Sequence, residues 1–210
     1  MSDVIEFHQA GRSDGAALFH QIADLHIDLI HGGILPLLGK SFLANLYSEI
    51  ASSRSGCVFA AIQADRVVGF AAGAWDIWKC ACGFRIRGYL HLTLCFLRQL
   101  ASPRVLAKGI DSLAYPFRKV DGASEHGARD KHRAELLAIA VAHSAQGQGV
   151  GRGLLARVED FFKPHVRHYF VTTNIAKTQS NAFYKTLGFL EIGCKKHHDL
   201  VLQTYIKQLN

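Results

Sequence analysis

The residues with the clearest chemical potential form the run Gln146-Gly147-Gln148-Gly149-Val150-Gly151-Arg152-Gly153. Glycine at every second position strips side chains from the backbone, so its N–H groups can approach an anion closely. A helix opening inside the run adds unpaired N–H donors and the positive end of a dipole. That combination describes a pyrophosphate cradle. Two common cradles do not fit. No Gly-Lys-Ser/Thr ending is present, which removes the Walker pattern. Counting from Gly147, the sixth residue is Arg152, and from Gly149 it is Leu154, so the dinucleotide fingerprint fails in both frames. Downstream, Asn181-Ala182-Phe183-Tyr184-Lys185-Thr186-Leu187-Gly188-Phe189 places a phenol among apolar neighbours, just before a glycine.

The flanking sequence predicts the elements that position these runs. Glu135–Val141 reads as a short apolar strand leading to the cradle. Gly149–Phe162 reads as a helix with Leu154, Leu155, Val158, Phe161 and Phe162 on one side. A strand at Tyr169–Thr173 and a helix at Gln179–Leu187 follow, the helix closed by Gly188. Phe189–Gly193 and Leu200–Ile206 are the final strands. Upstream, Val4–His8 alternates as a first strand, and Ser13-Asp14 offers a cap for a helix over Gly15–Leu29. A second helix covers Ser41–Ala51. Cys57–Ile62 and Arg66–Ala74 form a hairpin about Gln63-Ala64-Asp65. Strands alternating with helices imply an α/β class with a mixed sheet.

Gln146-x-x-Gly149-x-Gly151 resembles the Gln/Arg-x-x-Gly-x-Gly/Ala signature of the GCN5-related N-acetyltransferase (GNAT) superfamily. Asn181 to Phe189 is similar to the Asn-x-Phe-Tyr-x-x-x-Gly-Phe ending of the same superfamily. The resemblance implies one domain over 1–210. Its fold would be a twisted mixed sheet of six or seven strands with helices on both faces, splayed beside Ile139, Ala140 and Val141. Coenzyme A would lie along those residues, with Gln146, Gly147, Gln148, Gly149, Val150, Gly151, Arg152 and Gly153 about its pyrophosphate. Two departures stand out. His143 replaces a common proline, and Lys177 stands seven residues before Tyr184, where many members carry asparagine. Asn174 is the candidate substitute, and Asn181 completes the expected cofactor contacts.

Acetyl transfer to an amine needs a neutral nucleophile, a stabilised oxyanion and a protonated leaving thiol. Tyr184 is the candidate general acid and Glu135 the candidate base, directly or through a water. The N–H of Val141 is placed to face the thioester carbonyl. No cysteine or serine stands beside a base, so transfer is expected to be direct, in a ternary complex with acetyl-CoA and an amine. A CoA-binding module without turnover is the alternative, and retention of Tyr184 argues against it. His26, Asp28 and His31 lie between the first two helices, where this superfamily builds its acceptor pocket. His197-His198-Asp199 lacks a third ligand group, and no metal is expected.

Composition bounds the rest. The chain has 210 residues, 49% of them hydrophobic, and a formal charge of +7. A basic balance favours anionic partners without choosing among them. Five cysteines and no signal peptide point to a reducing cytoplasm. No apolar run is long enough for a membrane span. Most of the positive excess falls within 76–133, an insertion between the third and fourth strands with expected helices at Leu90–Leu100 and Val105–Leu113 and a loop at Asp121–Asp130. Its bases are interleaved with aromatics. It is read as a lid, as the wall of a pocket for an anionic acceptor such as an amino sugar, or, through 84–118, as a peripheral membrane contact. A nucleic-acid partner is not expected, for want of any recognition motif.

Overall fold

The computed structural model describes residues 4–31, 35–82, 132–197 and 200–209. The helices and loop expected at 90–100, 105–113 and 121–130, and the membrane contact at 84–118, lie outside them. In chain order the strands are β1 (Glu6–Ala10), β2 (Gly56–Gln63), β3 (Arg66–Ala74), β4 (Glu135–Val141), β5 (His168–Asn174), β6 (Leu190–His197) and β7 (Leu200–Gln208). The helices are α1 (Ala16–Leu29), α2 (Lys40–Ser52), the short α3 (Ile77–Cys82), α4 (Val150–Phe162) and α5 (Thr178–Thr186). The strands form one seven-stranded sheet in the order β1-β2-β3-β4-β5-β7-β6. Only the β4–β5 contact is parallel.

The β2–β3 hairpin turns at Ala64 and Asp65, whose φ angles are 47° and 60°. Two successive left-handed residues match the strand twist in a two-residue turn. Both strands are buried along most of their length because helices cover both faces. Val58, Ala60, Phe70 and Ala72 point towards α1 and α2, while Cys57, Phe59 and Ala71 point towards α4.

The first helix starts differently from the expected capped form. It begins after Gly15 with no side-chain cap. The Asp14 carboxylate instead accepts the Gly11 N–H at 2.7 Å and pairs with His8 Nε2 at 2.9 Å, which commits it to the preceding turn. Asp76, 2% exposed, ties together the two ends of the insertion. Its carboxylate accepts from the Lys79 N–H at 2.8 Å and lies 2.7 Å from His132 Nδ1. Among the described residues no helix is long and apolar enough to cross a membrane.

Two glycines of β3 let α4 approach the sheet. A Cβ on Gly69 would lie 3.2 Å from Leu154 and Val150, and one on Gly73 would lie 2.8 Å from Phe162 Cζ. Phe162 is fully buried and packs edge-on to Tyr169, so its ring has little room to retreat. Gly73→Ala should therefore destabilise the protein by about 1–3 kcal/mol through overpacking. Urea denaturation measures this, and a change within about 0.5 kcal/mol would mean that the α4 contact is looser than the geometry indicates.

Candidate active site

β4 and β5 pair only at Glu135–Phe170 and Leu136–Val171, together with the Phe170 N–H to Ala134 carbonyl bond of 3.0 Å. Beyond Leu136 the strands part. On its other side β4 stays paired to β3, and the register slips by one residue at Leu137. This bulge bends β4 and reverses which way its later amides face. The Ala142 N–H reaches the Val68 carbonyl of β3 at 2.8 Å. By strand alternation the Ala140 N–H also faces β3, and those of Ile139 and Val141 face the opening. The splay expected beside Ile139–Val141 is present and starts earlier, at the bulge.

The cradle closes the C-terminal end of this slot. Gly147 and Gly149 have φ of 78° and 80°, with open space where a Cβ would stand. Gly149 caps α4, whose first internal bond runs from the Gly153 N–H to the Gly149 carbonyl at 2.9 Å. The N–H groups of Val150, Gly151 and Arg152 therefore precede the helical ladder and point out of its start. The other two glycines serve packing. A Cβ on Gly151 would meet the Phe183 ring at 3.3 Å, and one on Gly153 would meet Phe7 at 2.4 Å. The Gly153 N–H is spent inside the helix, so Gly153 fits α4 against β1 and adds no donor to the cradle. Gln146 joins the parts: its Nε2 donates to the Val141 carbonyl at 3.0 Å, and its Oε1 accepts from Gln179 of α5 at 3.3 Å. The Gln148 side chain turns back to the Ser144 carbonyl at 3.0 Å.

Tyr184 sits on α5 among Phe183, Phe189 and Tyr205, 5% exposed. Burial, with a smaller contribution from Tyr205, pushes its phenol well above the ordinary range. It stays protonated at physiological pH, and its hydroxyl has no hydrogen-bond partner among the described residues. Asn181, expected at the cofactor, has another role. Its amide donates to the carbonyls of Asn174, Ile175 and Lys177 at 3.0, 3.2 and 2.7 Å, and its oxygen accepts the Tyr205 hydroxyl at 2.7 Å. With donors and acceptor engaged, Asn181 holds the β5–α5 turn. Asn174 closes the same turn, its Oδ1 accepting the Ala176 N–H at 2.9 Å.

Glu135 lies at the opposite end of β4, beside the point where the strands part. Arg133 binds it through Nε at 3.1 Å and Nη2 at 2.8 Å, both on Oε2, while the guanidinium stacks on Phe170. Oε1 is outside that pair. His26 is buried and bonded to Tyr47, whereas Asp28 and His31 are exposed on the surface beyond it. Nothing in the sequence pattern signalled the Arg133–Glu135 pair or the Tyr47–His26 pair, because each partner also reads as an ordinary helix or strand residue. Among the described residues no group of side chains could hold a metal ion.

The acetyltransferase (GNAT) family matches over residues 36–189. Among solved structures, the acetyltransferase of the GNAT family from Streptococcus pneumoniae is similar with a TM-score of 0.59 at 14% identity, over 99% of this chain and 100% of that one. A candidate acetyltransferase from Salmonella typhimurium, solved with its cofactor acetyl-CoA, is similar with a TM-score of 0.59 at 16% identity, over 99% of this chain and 95% of that one. A ribosomal-protein alanine N-acetyltransferase from Escherichia coli gives a TM-score of 0.53 at 15% identity, over 99% and 95%. At such identities these neighbours establish the fold. No curated protein is significantly similar in sequence.

Arg152 is exposed on the first turn of α4, so its charge can be reversed without disturbing packing. Arg152→Glu should weaken CoA binding about tenfold at low ionic strength, and by less as salt screens the charge. Calorimetric titration at two salt concentrations tests this. Unchanged affinity at low salt would move the phosphates away from this helix start.

Proposed function

The chain belongs to the acetyltransferase (GNAT) family and is an acyl-CoA-dependent acetyltransferase; from that premise we propose that it moves the acetyl group of acetyl-CoA directly to a primary amine in a ternary complex. The observation that carries the proposal is the parting of β4 from β5, which leaves the Ile139 and Val141 N–H groups facing a slot that ends at a phosphate cradle. Pantetheine would complete the β4 edge in place of the missing strand, along Ile139–Val141. The pyrophosphate would rest on Gly147 to Arg152.

In this reading the amine nitrogen attacks the thioester carbonyl carbon. The carbonyl oxygen takes up negative charge, and the Val141 N–H donates to it. The carbon–sulfur bond then breaks and Tyr184 gives its proton to the leaving sulfur, while the attacking nitrogen gives up its extra proton to water, which restores the phenol. Burial keeps the phenol protonated near neutral pH, so the proton is in place when the thiolate forms, while the same burial makes the phenol a weaker acid. The ammonium must first lose a proton, and Glu135 Oε1 is the candidate acceptor, through a water. The two buried thiols are poor candidates for an acyl-enzyme nucleophile. Burial raises the Cys57 thiol, and raises that of Cys80 to about 11, so neither offers a thiolate near neutral pH. We place the enzyme in the cytoplasm, read all 210 residues as one catalytic domain with 76–133 as its insertion, and read the acceptor as an anionic small molecule in view of the charge of +7.

Tyr184→Phe should leave CoA affinity intact and lower kcat by about 10²–10⁴-fold, the usual contribution of a general acid. A thiol-release assay and a CoA titration on the same sample check this. Full turnover would reduce Tyr184 to a packing residue.

A further inference from the structure

The fold brings three bases together at one end of the sheet. β1 ends at Ala10, β2 begins at Gly56 and β3 ends at Ala74. The pairs Ala10–Val58, Gly56–Ala74 and Ala74–Glu135 set these points beside the start of β4. Arg12 follows β1, Arg54 lies in the turn from α2 into β2, and Lys79 is on α3. All three line a cavity of about 600 Å³, together with Ser52, Ser53 and Ser55. The phosphate cradle follows Val141, at the other end of β4. That strand has 7 residues, so its two ends are about 20 Å apart.

The turn that carries Arg54 is fixed by backbone bonds. The Ser55 N–H donates to Ser53 Oγ at 3.3 Å, the Gly56 N–H to the Ser53 carbonyl at 3.3 Å, and the Trp75 N–H to the Ser55 carbonyl at 3.0 Å. Trp75 links Arg54 to Lys79. Its indole N–H donates to the Arg54 carbonyl at 3.3 Å, and the Lys79 ammonium lies 5.0 Å from its ring centre. α3 packs directly on the start of β2, since a Cβ on Gly56 would lie 2.8 Å from Cys80 Sγ.

The charges at this corner do not balance. No carboxylate is among the residues that line the cavity. Lys79 Nζ lies 3.4 Å from Asp76 Oδ2, which offsets its charge. Asp14, in the same turn as Arg12, directs its carboxylate to the Gly11 N–H and His8. Arg12 and Arg54 are exposed, and neither guanidinium has an ion pair or hydrogen bond among the described residues. α2 ends here at Ser52, and its carbonyl end offsets about half a charge. The positive excess is therefore about one and a half to two charges.

We infer that this cavity binds a dianionic phosphate group, free or carried as a monoester by a small molecule, at a site separate from the CoA cradle. A phosphate monoester carries about −1.5 to −2 charges at pH 7, which matches the excess. A carboxylate carries one and would leave positive charge uncompensated. Two guanidinium groups offer paired, planar donors that suit phosphate oxygens. The volume falls within the range of roughly 300–1,000 Å³ usual for small-molecule pockets, so there is room for an organic group behind the phosphate. Binding at this corner needs neither amine nor thioester, so it stands apart from the transfer reading.

The probes are glucose 6-phosphate, inorganic phosphate and glucuronate. Each is titrated calorimetrically into the full chain saturated with dephospho-CoA, which fills the cradle without adding a phosphate monoester. At least one phosphate probe should bind with a Kd of about 1 mM or tighter, and about tenfold more tightly than glucuronate, which carries a single charge. Equal affinity for the two phosphate probes assigns the site to free phosphate. Higher affinity for glucose 6-phosphate assigns it to a phosphorylated molecule, and either result supports the site. Arg12→Gln and Arg54→Gln alter exposed side chains and should each weaken phosphate binding about tenfold, with dephospho-CoA affinity unchanged. Binding by neither phosphate probe, equal affinity for glucuronate, or phosphate binding that both variants leave intact overturns the assignment.

Discussion

Backbone pairing left incomplete inside a sheet is the constraint on which this molecule depends. An N–H or carbonyl that loses its partner away from water carries a free-energy cost comparable to a lost hydrogen bond. β4 accepts that exposure along one edge from Leu137 onward while its other edge remains bonded to β3. The sheet survives because the flanking pairs are long: β5 is bonded to β7 over its whole length, and β2 to β3 over theirs. Two well-bonded half-sheets meet at a short parallel contact and then diverge. A ligand with a peptide-like edge is the natural partner for such an opening.

The remaining parts of the site keep that opening in shape. The bulge at Leu137 bends β4 and turns the Ile139 and Val141 amides outward. Gly69 and Gly73 bring α4 close to β3, so the start of α4 stands at the end of the slot. Gln146 bridges the Val141 carbonyl and Gln179, which links strand, cradle and α5. Asn181 fixes the β5–α5 turn that carries Lys177 on one side and leads to Tyr184 on the other.

Much of this was legible in the sequence where local chemistry decides it. The strand at Glu135–Val141 and the hairpin strand at Arg66–Ala74 have the bounds that their apolar runs imply. Gly188 takes the left-handed backbone favoured just past a helix end, and Gly149 takes it in the glycine run ahead of α4. Less was legible where the partner is distant in the chain. Gly153 belongs to Phe7 and Asn181 to Tyr205, and no spacing rule connects either pair. The bulge at Leu137 falls inside a uniformly apolar strand, where a shift of register changes no pattern. Asp14 had the right chemistry for a cap, but the Gly11 N–H and His8 claimed its carboxylate first. His26 reads as helix surface, because its burial is a property of the fold.

Amide hydrogen exchange along β4, with and without CoA, tests the central claim most directly. In the free protein the Ala138 and Ala140 amides face β3 and should exchange slowly, while those of Ile139 and Val141 face the slot and should exchange fast. Saturating CoA should protect Ile139 and Val141 specifically. If all four amides are equally protected without CoA, or if CoA leaves Ile139 and Val141 unchanged, the parted strand edge is not where the cofactor binds.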